Sequence, residues 1–274
     1  MQPAPAQGPP APHEGRRATS DSSYPSPETV VTGIGAVTPV GLDRETTWQA
    51  LLEGTSGVGP ITAFDAGGAA VRIAAQVSGF DPAAVLDTKR LRRTARFAQF
   101  AVAAAREAVA HAGLVIDREG TGEGVAPGRV GVVINAAVAG FDTVEGATRQ
   151  LLDPAPTRLS PYFVASSLTN MPACEVAIDL GVHGPVTASA LACASGNYAA
   201  LEARRLLASG EADVVICGGT DAAITEVMFA GLTTMGALST RNDDPQAASR
   251  PFDADRDGFV FGEGSVVLLS LIHI

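Results

Sequence analysis

The feature that most constrains the fold is a strand–helix–strand pattern between residues 186 and 217. Segments 186–191 and 213–217 are short and largely apolar, and we predict both as buried strands. Between them, residues 194–209 are rich in Ala and Leu and are followed by a glycine, which predicts a helix. Residues 129–134 form another apolar run typical of a buried strand. Strands alternating with helices in this way predict a layered α/β fold.

The rest of the chain divides into a tail and one domain. Residues 1–28 hold seven of the 18 prolines and are predicted to be disordered, because they have too little apolar surface to offset the entropy of ordering. Order is expected from Thr29, in a short strand that ends at a glycine turn. Helices are predicted over 45–53 and, as one long packed helix, over 89–112. No later linker separates domains, so residues 29–274 are predicted to form one.

Composition excludes several classes of function. A formal net charge of −10 disfavours nucleic-acid binding, since phosphate-binding surfaces normally carry a basic excess. No apolar run reaches the roughly 18 residues of a membrane span. The three cysteines show neither metal-ligand spacing nor the density of a disulfide framework, so we expect a cytoplasmic protein without a metal site.

Cys193 is the first candidate for chemistry. It stands in the segment LACASG (residues 191–196), where small residues surround a thiol just before the predicted helix. Unpaired N–H groups and the positive dipole end of a helix N-terminus stabilise a negatively charged sulfur, and small neighbours leave room for a thioester. From this local pattern alone, a buried structural cysteine is an equally good interpretation.

Three segments together resemble one enzyme family. They are VVTGIGAVTPVG (30–41), the LACASG segment, and LSTRNDDPQAASRPFD (238–253) continuing through DRDGFVFGEG (255–264). In this order they resemble the N-terminal part of the β-ketoacyl-ACP synthases, the acyl-condensing enzymes of fatty-acid and polyketide synthesis. The resemblance extends from about residue 29 to about residue 269.

The resemblance implies a thiolase-like fold, of which this chain would be the N-terminal half of a layered αβαβα architecture. Cys193, at the head of a buried helix, would receive an acyl group from the phosphopantetheine of acyl carrier protein. That acyl group would then condense with malonyl-ACP, with loss of carbon dioxide. The resemblance further implies a homodimer, or a ketosynthase heterodimer, and no cofactor beyond the phosphopantetheine of the carrier.

Other residues are assigned by the same resemblance. Lys89, Arg92 and Arg93 correspond to basic residues that dock the acidic carrier protein, although a solvated helix face explains them equally well. Val138 corresponds to a gate beside the acyl pocket, and Phe163 to a residue that lines the pocket across the dimer interface. Both could instead be ordinary core residues. The segment around Val138 departs from the family, in which this loop is richer in glycine.

The family's two catalytic histidines and lysine cannot be placed. His273 lies where the sequence leaves the family pattern, so it is assigned no catalytic role. We therefore expect that the C-terminal half is missing and that the chain alone is inactive in condensation and prone to aggregate. Two other classes are disfavoured. The presence of Cys193 speaks against a non-catalytic partner of the chain-length-factor type, and the segment 239–250, which resembles the carrier-protein branch, speaks against a thiolase-type enzyme acting on coenzyme A.

Two further motifs are weak. Asp253, Asp255 and Asp257 imitate the first half of a calcium loop, but the carboxylate at its end is displaced by one residue, so a polar loop near the active site is preferred. Gly33-x-Gly35 lacks the third glycine of a dinucleotide-binding turn. No nucleotide cofactor is expected.

Overall fold

The structure is a computed structural model that describes residues 28–155 and 158–272. The predicted tail lies outside these residues except for Glu28, and so does His273. The strands are β1 (Thr29–Val37), β2 (Val58–Pro60), β3 (Ile73–Ala75), β4 (Val130–Asn135), β5 (Val186–Thr187), β6 (Val214–Asp221) and β7 (Gly264–Ile272). The helices are α1 (Arg44–Leu52), α2 (Thr88–Leu91), α3 (Arg96–Ala112), α4 (Phe141–Leu152), α5 (Phe163–Ser167), α6 (Met171–Leu180), α7 (Ser195–Ala208) and α8 (Glu226–Thr234).

Five strands form one mixed sheet in the order β1-β7-β6-β4-β5, and β2 and β3 form a separate antiparallel pair. In the main sheet β6, β4 and β5 run parallel to one another, while β7 runs antiparallel to both β1 and β6. Every residue of β4 is buried, because helices cover both faces of the sheet at this strand.

Successive side chains of β4 and β6 pack alternately into two apolar cores, one on each face of the sheet. Val132 and Val214 point to the face covered by α3 and α6, whereas Val133 and Val215 point to the face covered by α7. This alternation follows from the two-residue period of a strand. The result is a helix–sheet–helix arrangement, which confirms the α/β fold predicted from the sequence. Among the described residues, no helix is both long and apolar enough to cross a membrane.

Three predicted elements differ in extent from the structure. The strand expected over 213–217 continues to Asp221 in β6. The strand expected over 186–191 stops after Thr187, because β5 is the edge strand of the sheet and pairs only with β4; Val186 is 40% exposed rather than buried. The helix expected over 89–112 is interrupted, and α3 begins only at Arg96. At the break, the Thr94 hydroxyl donates to the carbonyl of Arg90 and the Gln99 amide donates to the carbonyl of Thr94, so side chains satisfy these backbone groups.

Gly33 and Gly35 let α3 lie directly on β1. A Cβ at Gly35 would stand 1.9 Å from the carbonyl oxygen of Ala104, and one at Gly33 would stand 2.1 Å from that of Ala108. The two glycines are therefore required for helix–strand contact, which accounts for their spacing along β1.

Candidate active site

Cys193 lies in a 3-10 turn, Ala192–Ala194, immediately before α7. Its side chain is exposed, and the preceding Ala192 has a left-handed φ of 49°. The Ser195 hydroxyl ties this turn together: it accepts a hydrogen bond from the Leu191 N–H (2.9 Å) and donates one to the Ala192 carbonyl (2.8 Å). The helix that follows buries one face only, so Cys193 does not head a helix buried on all sides.

The three cysteines have different environments. Cys217 is buried in β6, and burial raises the pKa of its thiol to about 12. Cys174 is half-buried on α6, while Cys193 is exposed. Of the two interpretations of Cys193 left open by the sequence, the buried structural cysteine is therefore wrong, and it describes Cys217 instead.

A cleft of about 520 Å³ opens beside Cys193. Its walls come from all three sequence motifs: Thr38 and Pro39 from the first, Cys193 from the second, and residues 262–264 from the third. The end of β6 completes the wall. Segments separated by more than 150 residues in sequence thus meet at a single cleft.

Small residues bring α7 close to the end of β6. The Cα of Gly196 lies 3.0 Å from where a Cβ at Gly219 would stand, so any side chain at Gly219 would push the first turn of α7 away from the sheet. The small residues around Cys193 therefore serve the packing of the turn in addition to the access predicted from the sequence.

Glu263 forms one wall of the cleft and is held by three contacts. Its carboxylate accepts hydrogen bonds from the Arg96 guanidinium at 2.9 and 3.0 Å and from the Val77 N–H at 2.9 Å. It also lines a neighbouring cavity of about 690 Å³, which includes Asp142. Burial raises the pKa of Asp142, and the negative charge of Glu263 raises it further, against hydrogen bonds from Thr143.

Val138 lies in a loop organised by Asp221. The Asp221 carboxylate accepts backbone N–H bonds from Ala137 (2.7 Å), Val138 (2.9 Å) and Ala139 (3.1 Å). Burial raises the pKa of Asp221, although these three hydrogen bonds oppose the shift. Ala137 lines the Cys193 cleft, but Val138 is not among the lining residues.

Phe163 and two of the three predicted docking residues line one cavity, which is separate from the Cys193 cleft. Phe163 lines a smaller cavity of about 280 Å³ that is also lined by Arg92 and Arg93. Lys89 and Arg92 are exposed, whereas the Nε of Arg93 lies 3.8 Å from a carboxylate oxygen of Glu175. Arg93 is therefore partly engaged within the fold.

The calcium-like segment is a tied polar loop. The Asp257 carboxylate accepts hydrogen bonds from the Ser239 hydroxyl (2.7 Å) and the Thr240 N–H (2.9 Å), which hold the pKa of Asp257 below its usual value. Asp253 accepts instead from the backbone N–H of Asp255 at 2.8 Å. Within residues 28–155 and 158–272, no group of three or more His, Cys, Asp or Glu side chains could hold a metal ion.

The sequence did not point to Asn135, Asp221 or Glu263 as site residues. Glu263 stands within the third family-like segment, and Asn135 within the loop that departs from the family, but neither position alone predicts a role. All three line the Cys193 cleft. Their positions at strand ends are the only local signal, because polar groups at the ends of sheet strands commonly serve sites.

Comparison with known proteins gives a consistent result. The family description "Beta-ketoacyl synthase, N-terminal domain" matches residues 27–271. The 3-oxoacyl-(acyl-carrier-protein) synthase 2 of Synechocystis sp. is 45% identical over 240 residues, and that of Coxiella burnetii is 44% identical over 246. These alignments cover 88% and 89% of this chain but only 56% and 58% of the relatives, so the chain spans just over half of their length.

Solved structures agree in fold. A β-ketoacyl synthase from Burkholderia phymatum superposes with a TM-score of 0.79 at 29% identity, covering 90% of this chain and 59% of the other. A type II PKS acyl-carrier protein in complex with its ketosynthase bound to the hexaketide gives a TM-score of 0.75 at 26% identity, covering 90% and 59%. Because both similar structures contain ketosynthases, the predicted thiolase-like fold is confirmed.

Proposed function

The chain belongs to the β-ketoacyl synthase family through its N-terminal domain, and we propose that it carries the acyl-binding nucleophile of a 3-oxoacyl-ACP synthase, an acyltransferase. The observation that carries the proposal is the position of Cys193: an exposed thiol in a tight turn before a helix, in a cleft built from three family motifs. The whole enzyme would act in fatty-acid or polyketide synthesis.

Two steps make up the proposed reaction. The Cys193 sulfur attacks the carbonyl carbon of an acyl thioester, a new carbon–sulfur bond forms, and the phosphopantetheine thiolate leaves and takes up a proton. The malonyl unit then loses carbon dioxide, and its α-carbon attacks the Cys193 thioester and releases the thiolate. Cysteine suits both steps because a thiolate is a good nucleophile and a good leaving group. A non-catalytic partner would not need this exposed thiol.

Acyl carrier protein is the proposed partner. Lys89 and Arg92 are exposed basic residues on a chain with net charge −10, so they offer a local attraction to an acidic protein. One solved structure similar to this chain is a ketosynthase in complex with its carrier protein. The acyl group arrives on phosphopantetheine, so the reaction needs no further cofactor. We assign Arg93 a smaller share of the docking, because it also pairs with Glu175.

We also propose a homodimer in the cytoplasm. Phe163 lies at the start of α5, within a surface where α4, α5 and α8 expose large apolar side chains. This surface is the one we assign to the second copy, with Phe163 contributing to an acyl pocket at the interface and Val138 to its gate. The three free cysteines support a reducing compartment.

The proposal is tested by acyl transfer to the chain itself. An acyl group carried on acyl carrier protein is mixed with the protein, and the mass of each cysteine-containing peptide is measured over time. We expect one acyl group on Cys193, none in Cys193→Ala, and unchanged transfer in the control Cys174→Ala. Arg92→Glu should slow transfer from the carrier protein but not from free acyl-pantetheine. Absence of acylation at Cys193 from both donors would refute the proposed function.

A further inference from the structure

We propose that Asn135 is a positioning residue for Cys193: its buried amide fixes the two ends of the segment that bears the thiol. The inference deepens the proposed function, and its relevance to acyl transfer rests on that function. Asn135 lines the Cys193 cleft but is fully buried, so we assign it no direct part in the chemistry. Its role is to set the geometry of the turn.

Asn135 is the last residue of β4 and is fully buried, at 0% exposure. Its Oδ1 accepts a hydrogen bond from the Ser189 N–H at 2.7 Å. Its Nδ2 donates to the Ser195 carbonyl at 3.1 Å and to the Glu202 carboxylate at 3.2 Å. The Oδ1 atom of Asn135 thus has one donor, and the Nδ2 group has two acceptors. A buried amide needs such partners because an unpaired buried polar atom is costly.

The partners of Asn135 flank Cys193. Ser189 lies four residues before the thiol and Ser195 two residues after it, so the amide bridges the segment from both sides. Glu202, two turns further along α7, accepts from the Ser189 hydroxyl at 3.1 Å as well as from Asn135. The amide therefore links the end of β4, the segment before Cys193 and the helix after it.

The turn needs this support because it is not a relaxed conformation. Ala192 adopts a left-handed φ of 49°, which costs energy for a residue with a side chain and persists only when the surroundings impose it. The Ser195 hydroxyl supplies bonds within the turn and one longer contact, 3.5 Å, to the Ala136 carbonyl beyond β4. The Asn135 side chain, at the end of β4 itself, contacts both flanks of the turn.

The chemistry of position 135 is specific to an amide. A carboxylate of the same shape would still accept from Ser189, but it would place negative charge against the Ser195 carbonyl and the Glu202 carboxylate. Asn135→Asp therefore changes hydrogen bonding with little change in volume. Asn242→Asp is the matched control: the Asn242 side chain also bridges two backbone groups, Arg72 N–H at 2.7 Å and Ala70 carbonyl at 2.8 Å, away from Cys193.

Three readouts are taken on the full chain: hydrogen exchange of peptides covering residues 189–196, acylation of Cys193 by acyl-pantetheine, and alkylation of Cys193 by iodoacetamide. For Asn135→Asp we expect faster exchange in these peptides and acylation slowed by about tenfold or more, because a small misplacement costs that much in an oriented reaction. Alkylation should stay within about twofold, because an exposed thiol needs little orientation toward a small electrophile.

A rescue separates positioning from general destabilisation. Adding Glu202→Gln to Asn135→Asp lets an amide at position 202 donate to the carboxylate at position 135, and it should recover part of the acylation rate. Asn242→Asp should leave both the exchange of residues 189–196 and the acylation rate unchanged. Equal loss in Asn242→Asp, or a wild-type acylation rate in Asn135→Asp, would overturn the inference.

The two proposals fail in different ways. If the wild-type chain is not acylated, the proposed function fails, and hydrogen exchange alone then decides whether Asn135 holds the turn. Unchanged exchange of residues 189–196 in Asn135→Asp contradicts the inference whether or not Cys193 is acylated.

Discussion

At the scale of single residues, Asp142 and Glu145 show how one cavity shifts the pKa values of two acids in opposite directions. Both line the cavity of about 690 Å³ beside the Cys193 cleft, together with Arg96, Arg149 and Glu263. Burial raises the pKa of Asp142, with a further contribution from Glu263. Burial acts in the same direction on Glu145, but hydrogen bonds from Val227, Thr225 and Arg149 outweigh it and lower the pKa of Glu145.

The first prediction is that Asp142→Asn stabilises the fold increasingly as pH rises. A carboxyl group whose folded pKa is raised contributes stability that is present below its unfolded pKa of 3.8 and is lost as pH rises through the folded pKa. An amide cannot ionise, so the variant Asp142→Asn does not lose this stability as the pH rises. Between pH 3.5 and pH 8, the melting temperature of Asp142→Asn should therefore rise relative to that of the wild type as the pH increases.

Glu145→Gln is the control with the opposite sign. The folded pKa of Glu145 is lowered, so its contribution is present above its unfolded value of 4.5 and is lost as pH falls through the folded pKa. The variant should lose stability at neutral pH and approach the wild type in acid. Parallel pH trends in the two variants would show that the cavity does not hold these acids as described.

The residues of the site differ in how far the sequence could predict them. Cys193 is recognisable because its signal is local: small neighbours and a following helix. Asn135 is not, because its partners lie 54, 60 and 67 residues further along the chain and only the folded sheet brings them together. Asp221 likewise contacts a loop more than 80 residues earlier. Long-range hydrogen bonds leave no periodic pattern in the sequence.

At the scale of elements, the contact between α3 and β1 depends on backbone touching backbone. We predict that Gly35→Ala destabilises the protein by about 1–3 kcal/mol or more, because the added Cβ overlaps the Ala104 carbonyl oxygen and neither element can move without disturbing the core. The midpoint of urea unfolding measures this loss.

Gly59→Ala is the matched control within a strand. Nothing lies within 4 Å of a Cβ at Gly59 in β2, so the same chemical change there meets open space. An unfolding midpoint for Gly35→Ala equal to that of Gly59→Ala would mean that α3 does not rest on β1 as described.

Helices and strands could be predicted where the sequence shows a clear run or period of apolar residues. The central strands β4 and β6 were predicted, because strands covered on both faces carry near-continuous apolar runs, here 130–134 and 214–217. The short strand β5 was overestimated because an apolar sequence does not reveal that a strand lies at the edge of its sheet. The break before α3 was missed because side chains of Thr94 and Gln99, rather than a proline or glycine, satisfy the backbone there.

At the scale of the whole molecule, the question is what covers the apolar surface of α4, α5 and α8. These helices are joined: the Glu145 carboxylate accepts the Val227 N–H, and residues of α4 and α5 are in contact. Leu152, Val164 and Met235 are 78%, 65% and 75% exposed. Exposed apolar side chains on neighbouring helices are typical of an interface, and the same surface on two copies can pair about a two-fold axis.

The last prediction is therefore a change of mass. In the fraction of the protein that does not aggregate, light scattering should find the wild-type chain at twice its 27.8 kDa mass and Val164→Glu close to 27.8 kDa, because a charge placed in a buried interface cannot be paired. The control is Leu52→Glu on α1, which is also exposed, at 63%, but lies outside the three helices, and it should remain a dimer. If this fraction of the wild type is monomeric, or if both variants dissociate alike, α4, α5 and α8 do not form a dimer interface.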